Sequence, residues 1–247
     1  MSLPGSVQRV RRAWIIFGTV VLLALVAVAG ILAAGNRSTP ADVAYMGPVG
    51  DAPGDPGIYR YDTIGFESVD ALAGARHEYP EVTELILEDL ECGPVVRWTP
   101  LEERREEWTW CGPGGSVATI VEYHAWFGVG ETTETTCEGL HFTADDLISW
   151  EASCTRPETE ISIVVEFRGR ESLMVGSVSL DTVRFRLIEE TTGRTEGIRV
   201  TDLWLIPGTP LPAKKQVADR SASSSPIGDV TYVEEYTLLL RSTAPSR

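Results

Sequence analysis

Between Ala13 and Asn36 the chain carries no charged residue, and beyond that stretch its apolar positions fall into period two. Apart from Thr19, the run from Trp14 to Gly35 is apolar. About 20 helical residues at ~1.5 Å rise cross a bilayer core of ~30 Å, so this run predicts a transmembrane helix over 13–35. Further on, Ile161, Ile163, Val165 and Phe167 alternate with Ser162, Val164, Glu166 and Arg168. Val183, Phe185 and Leu187 face away from Arg184 and Arg186. Val230, Tyr232, Tyr236, Leu238 and Leu240 lie opposite Thr231, Glu235, Thr237 and Arg241, and Val117, Val121, Tyr123 and Phe127 form a further set. Such alternation marks strands with one buried face.

Turn signals separate these runs: Gly112-Pro-Gly-Gly115, Thr192-Gly193-Arg194 and Pro207-Gly-Thr-Pro210. The short spacings favour hairpins over βαβ units. The expected fold is all-β: a curved antiparallel sheet or partly open β-barrel of about ten strands, following one N-terminal transmembrane helix. Short helices are expected only at Ser68–Gly74 and Ala144–Ile148, the second with Thr143 and Asp146 in capping-box spacing. Five segments result: a basic stub (1–12), the span (13–35), a Pro/Gly-rich tether (36–57), a β domain (58–242) and a frayed tail (243–247). Ser221 to Pro226 reads as a flexible piece too short to divide the domain.

Arg9, Arg11 and Arg12 precede the apolar run, and Trp14 suits the bilayer interface. This basic flank places the N-terminus in the cytoplasm and the β domain outside it, in a single-pass cell-membrane protein. A cleaved signal peptide is the competing reading, but its apolar region is about 7–15 residues, shorter than this one.

The net charge is −15, and residues 36–247 alone carry −18. A body so acidic repels nucleic acid and anionic lipid surfaces. Cys92, Cys111, Cys137 and Cys154 all lie on the exported side, where pairing is the default. Four cysteines allow three connectivities. Hairpin arithmetic favours Cys92–Cys111 and Cys137–Cys154. The first pairing centres a turn at Leu101 and Glu102, beside Pro100, and sets Trp98 opposite Arg105 and Val95 opposite Trp108. The second centres on Asp145 and Asp146. A four-thiolate zinc site needs Cys pairs two to four residues apart, and none are.

Catalytic motifs are sparse. No nucleophile elbow, phosphate-binding glycine loop or zinc-protease helix motif is present. His77 reads as part of a turn before Pro80, and His124, alternating with Ile120 and Trp126, as a satisfied interfacial histidine. His141 with Asp145 and Asp146 is a candidate metal set whose plainer role is loop capping. The block Glu102-Glu-Arg-Arg-Glu-Glu107 reads as surface ion pairs. No catalytic residue, cofactor or metal is assigned. Trp98, Trp108, Trp126, Phe127 and Trp204 are candidate lining for an apolar ligand, against the plainer reading of a packed core.

The segment Asp181-Thr-Val-Arg-Phe-Arg-Leu187, the turn at Gly193 and the run Thr201-Asp-Leu-Trp-Leu-Ile-Pro-Gly-Thr-Pro-Leu-Pro212 resemble the strand–turn–strand element of LolA-like and LppX-like lipoprotein-carrier folds, over residues 181–240. Lysine occurs only at Lys214 and Lys215 and asparagine only at Asn36. With the cysteine and tryptophan layout, that usage is similar to single-pass extracytoplasmic β proteins of actinobacteria. The carrier resemblance implies a curved half-barrel cupping an apolar ligand. The expected function is a membrane-anchored, non-catalytic domain binding an apolar or envelope ligand, or a protein partner. The alternative is a cell-envelope hydrolase using acidic residues or a metal.

Overall fold

A computed structural model of the chain describes residues 5–35, 37–71, 74–111, 116–142, 149–225 and 228–246. One helix, α1 (Gly5–Gly35), is followed by thirteen strands. They are β1 (Gly57–Val69), β2 (Ala75–Glu78), β3 (Val82–Leu90), β4 (Gly93–Leu101), β5 (Arg104–Thr109), β6 (Thr119–Trp126), β7 (Val129–Glu138), β8 (Ser149–Arg156), β9 (Thr159–Val175), β10 (Val178–Gly193), β11 (Thr195–Leu205), β12 (Pro212–Ser225) and β13 (Gly228–Leu240). Among the described residues no helix is long and apolar enough to cross a membrane. The described side chains of α1 begin at Thr19.

From β3 to β13 each strand pairs antiparallel with the next, and β13 returns to β1 in a register running from Tyr61 opposite Leu240 to Val69 opposite Tyr232. The sheet is therefore a closed twelve-stranded barrel, β1 and β3–β13, with β2 as one extra strand. This corrects the expectation of a partly open sheet of about ten strands. Closure follows from the length of β1: residues 57–62 pair with β3, residues 66–69 with β2, and its other edge with β13. Neither edge is left as an unpaired ladder open to association. At the seam Gly65 has φ 156°, and a Cβ there would come within 2.3 Å of the Glu235 carbonyl oxygen. Only glycine lets β1 approach β13 this closely.

Several local expectations change. Ser68 and Val69 belong to β1, not to a short helix. Residues 221–225 of the expected flexible piece belong to β12 and pair with β13, Ser223 opposite Val230. On β6 the faces are inverted: Ile120, Glu122, His124 and Trp126 point inward, continuing the buried Arg104, Glu106 and Trp108 of β5, while Val121 and Tyr123 point out. The Gly112–Gly115 turn and the Ala144–Ile148 helix lie outside the described residues. The 243–247 tail is held at Ser246, which exchanges backbone hydrogen bonds of 2.8 and 2.9 Å with Ile58.

Both disulfides form as paired, Cys92–Cys111 and Cys137–Cys154. Cys137 and Cys154 are direct cross-strand partners on β7 and β8. The β4–β5 register is one residue off the arithmetic: Trp98 faces Glu106 and Val96 faces Trp108, because a bulge falls between Trp98 and Leu101. Pro100 lies in that bulge and has no N–H to donate to a ladder, which is where strands tolerate proline.

Inward side chains fill one half of the barrel with an apolar core that includes Tyr61, Leu85, Trp98, Trp108, Phe185, Leu203 and Leu238. The void left among the tryptophans, beside Trp98, Trp108 and Trp110, is ≈ 30 Å³, about the volume of one water.

Candidate functional site

Beneath the apolar half the inward positions turn ionic. Adjacent strands set Glu189 opposite Arg199, Arg199 opposite Asp219, Asp219 opposite Glu234, Glu234 opposite Glu67, and Glu67 opposite His77. One hydrogen-bonded row thus carries six ionisable groups across β10, β11, β12, β13, β1 and β2. The facing wall supplies Arg104 opposite His124 and Glu106 opposite Glu122, on β5 and β6. Residues directly opposite each other in a ladder share a face, so the groups project into a common interior.

Arg104 is fully buried. Its Nε donates to Glu234 Oε1 at 2.9 Å and its Nη2 to Glu234 Oε2 at 3.3 Å, the fork geometry that suits a carboxylate. Nη2 also reaches Glu122 at 3.2 Å and Glu106 at 3.4 Å, and Nη1 donates to the Arg105 carbonyl at 2.6 Å. Arg199 bridges Glu122 and Glu106, each at 2.9 Å, and Lys215 Nζ pairs with Glu106. Tyrosine hydroxyls complete the shell: Tyr79 donates to Glu234 at 2.6 Å, Tyr236 to Glu106 at 3.2 Å and Tyr232 to Glu67 at 3.1 Å.

His77 Nδ1 lies 2.9 Å from Glu67 Oε1, and its Nε2 lies 3.1 Å from the carbonyl oxygen of Gly35, at the end of α1. Its ring stacks on Trp126, with centroids 4.1 Å apart. His124 Nδ1 reaches Glu67 Oε2 at 3.1 Å. His77 therefore has an oxygen at hydrogen-bond distance from each ring nitrogen.

Burial would raise the Glu67 carboxyl, but hydrogen bonds from His124 and His77 and the charges of His124 and Arg104 hold it down to about 2. Glu106 is likewise lifted by burial and pulled to about 2 by Lys215, Arg199 and Arg104. Glu122 is also driven down, by Arg199 and Arg104 against burial. Burial wins at two positions. Asp219 rises to about 7, because its one nearby cation, Arg199 at 3.9 Å, cannot offset burial and the carboxylates Glu234, Glu122 and Glu189. Glu189 is raised for the same reason. Glu106, Glu122 and Glu234 each have an arginine within 3.4 Å, and Glu67 lies within 3.1 Å of both His77 and His124. Asp219 and Glu189 have no cation that close, and neither accepts a hydrogen bond among the described residues.

Beside this layer the barrel opens as a mouth of ≈ 590 Å³. Glu122, His124, Asp219, Tyr232 and Trp126 line it together with Ser221, Ser223 and Thr159, and Glu131, Glu134, Arg156 and Arg194 also contribute. The volume lies within the ~300–1,000 Å³ of small-molecule sites.

The aromatic residues singled out in the sequence do not assemble into one surface. Trp98 and Trp108 are buried in the apolar half. Trp204 is buried on the outer face, between Arg184 and Lys214, and its Nε1 donates to Glu171 at 2.8 Å. Trp126 lines the mouth. Phe127 packs on the end of α1, where a Cβ on Gly35 would fall 2.0 Å from its ring.

His77 sits in β2 and not in a turn, and the 102–107 block is only partly superficial. Arg97–Glu107 is a surface pair, but Arg104 and Glu106 belong to the interior. His141 stacks on Trp150 at 4.9 Å, and Asp145 and Asp146 lie outside the described residues. Among those described, no group of three or more His, Cys, Asp or Glu side chains could hold a metal ion. Parity would have revealed the ionic layer: Glu234 falls between the inward Tyr232 and Tyr236, and Glu189 follows Leu187 by two. Comparison with family models, with characterised proteins and with solved structures finds no match to this chain.

Proposed function

We propose that the protein is a non-catalytic extracytoplasmic binding domain, held at the cell membrane by its N-terminal apolar segment, with its ligand entering the polar mouth. The mouth carries this reading: a molecule-sized opening lined by Trp126, Tyr232, His124, Asp219 and hydroxyl side chains. Large apolar surfaces and a few convergent polar groups are what small-molecule sites combine. An apolar ligand held by the tryptophans, as the lipoprotein-carrier resemblance implies, would have to fit a void of ≈ 30 Å³. The proposed ligand is therefore a polar envelope component. Two disulfides with no free cysteine suit the oxidising side of the membrane, and the three arginines before the apolar run suit a cytoplasmic N-terminus.

Native mass spectrometry of the full chain, extracted gently from membranes, tests the reading. A bound species should accompany the wild-type protein and be absent from Ser223→Trp, which fills an inward position of the mouth. A wild-type protein carrying nothing, with the variant indistinguishable from it, would overturn the proposal.

A second reading, an envelope hydrolase using acidic residues, is favoured by one observation: Asp219 titrates near neutrality inside an open cavity, as a general acid or base should.

A further inference from the structure

We propose that the mouth binds an organic ammonium group, seated on the Asp219 carboxylate and the rings of Trp126 and Tyr232. The inference rests on the binding-domain reading and adds the chemical class of the ligand. The interior layer contains six carboxylates, Glu67, Glu106, Glu122, Glu189, Asp219 and Glu234. Arg104, Arg199 and Lys215 pair with Glu234, Glu122 and Glu106, and Glu67 is in hydrogen-bond contact with His77 and His124. Asp219 faces the mouth with no hydrogen-bond partner among the described residues, and the nearest cationic nitrogen is 3.9 Å away. It is nonetheless largely buried, its side chain only 15% exposed. Arg199 is already bridged to Glu106 and Glu122 at 2.9 Å, so the Asp219 carboxylate has no cation of its own.

The size and donors of the mouth choose among cations. At ≈ 590 Å³ it is far larger than a bare ion requires, and no three-ligand metal set exists among the described residues. Aromatic walls favour an alkylated ammonium, whose weak hydration lets it sit against a ring face. Tyr232 is anchored by its hydroxyl on Glu67 and Trp126 by stacking on His77, so both rings are held in place before a ligand arrives. An anion would meet Glu122, Glu131, Glu134 and Asp219 against only Arg156 and Arg194.

The mouth also opens on the α1 side of the barrel, since His77, stacked on Trp126, contacts the last residue of that helix. An ammonium could therefore reach it free in solution or as a lipid headgroup at the bilayer surface.

Titration of the full-length protein in detergent with choline and with its uncharged isostere 3,3-dimethylbutan-1-ol separates charge from shape. Choline should bind at least tenfold tighter than the isostere, and Asp219→Asn should lose at least tenfold. A bound cation stabilises the ionised carboxylate, so choline affinity should rise between pH 6 and 8. That slope reports Asp219, among its neighbours Arg199, Glu234, Glu122 and Glu189, because burial holds its proton to about pH 7, and the slope should vanish in Asp219→Asn.

Reconstitution distinguishes the sources. In phosphatidylcholine nanodiscs a headgroup site is already filled and added choline should not bind, whereas in phosphatidylglycerol nanodiscs it should. Equal affinity for the isostere, or unchanged binding by Asp219→Asn, overturns the ammonium assignment and leaves a binding mouth of other specificity. Failure of choline, ethanolamine and spermidine to bind overturns it as well. The co-purification experiment on Ser223→Trp judges the binding-domain reading separately.

Discussion

Arg104→Met tests whether the buried ionic layer holds the barrel together. Methionine keeps most of the aliphatic stem, so little cavity forms and the change isolates the guanidinium. Lost with it are the two bonds to Glu234 at 2.9 and 3.3 Å, those to Glu122 at 3.2 Å and Glu106 at 3.4 Å, and the donation to the Arg105 carbonyl at 2.6 Å. Glu122 and Glu106 keep Arg199 at 2.9 Å. Glu234 keeps only Arg199 at 3.8 Å and the Tyr79 hydroxyl, so it becomes a fully buried carboxylate with no close cation.

Removing one partner of a buried pair costs about 3–5 kcal/mol, mostly as the penalty of the charge left behind. For a domain of this size each kcal/mol lowers the melting temperature by about 2–4 °C, so a fall of about 6–20 °C is expected. Thermal melting of the full-length protein with disulfides intact, followed by circular dichroism, measures the fall, and an unchanged slope in urea unfolding would show that compactness is preserved. Adding Glu234→Gln removes the stranded charge and should restore at least ~1 kcal/mol, a coupling expected of residues in contact. A single variant within ~1 kcal/mol of wild type, or a double variant no better than the single, would refute the reasoning.

Two further outcomes follow from the same interior. Asp219 binds its proton more tightly folded, at about 7, than the ordinary 3.8. Its contribution is therefore fully present below about pH 3.8 and is lost as pH rises through 7. Asp219→Asn should match wild type near pH 4 and exceed it at pH 8 by up to ~4 kcal/mol, and identical stability–pH curves would contradict the assignment. Glu67 and Glu106 act oppositely: held at about 2 against an ordinary 4.5, their stabilisation is present above pH 4.5 and disappears as pH falls toward 2. The double variant Cys137→Ala/Cys154→Ala opens a cross-strand link of separation 17 and should cost about 3 kcal/mol by thermal melting. A change below ~1 kcal/mol would mean that the β7–β8 ladder alone holds this register.

Much of the β architecture was legible in the chain. Val183, Phe185 and Leu187, Ile163 and Val165, and Tyr236, Leu238 and Leu240 alternate as strands with one buried face and are buried in the barrel. Both disulfide pairs followed from centring each hairpin on a turn. The segments misread are those whose inward residues are polar. The end of β12 presents Ser221 and Ser223 to the interior and so reads as a flexible piece, and on β6 the inward set includes Glu122 and His124, which reverses the expected face. Period-two analysis finds a strand by the contrast between its faces, and where the buried face is ionic that contrast vanishes or reverses.

Local sequence thus determined that the chain after α1 would pair as antiparallel hairpins stapled by two disulfides, because alternation and turn chemistry act between residues close along the chain. Only the tertiary structure decided that the sheet closes, that a glycine at the seam permits it, and that acids and bases from seven barrel strands and β2 meet in one layer. The contacts that settle those questions join Glu67 to Glu234 and Arg104 to Glu234. They span most of the chain, and a carboxylate's charge state there depends on which cations the closed barrel brings within reach.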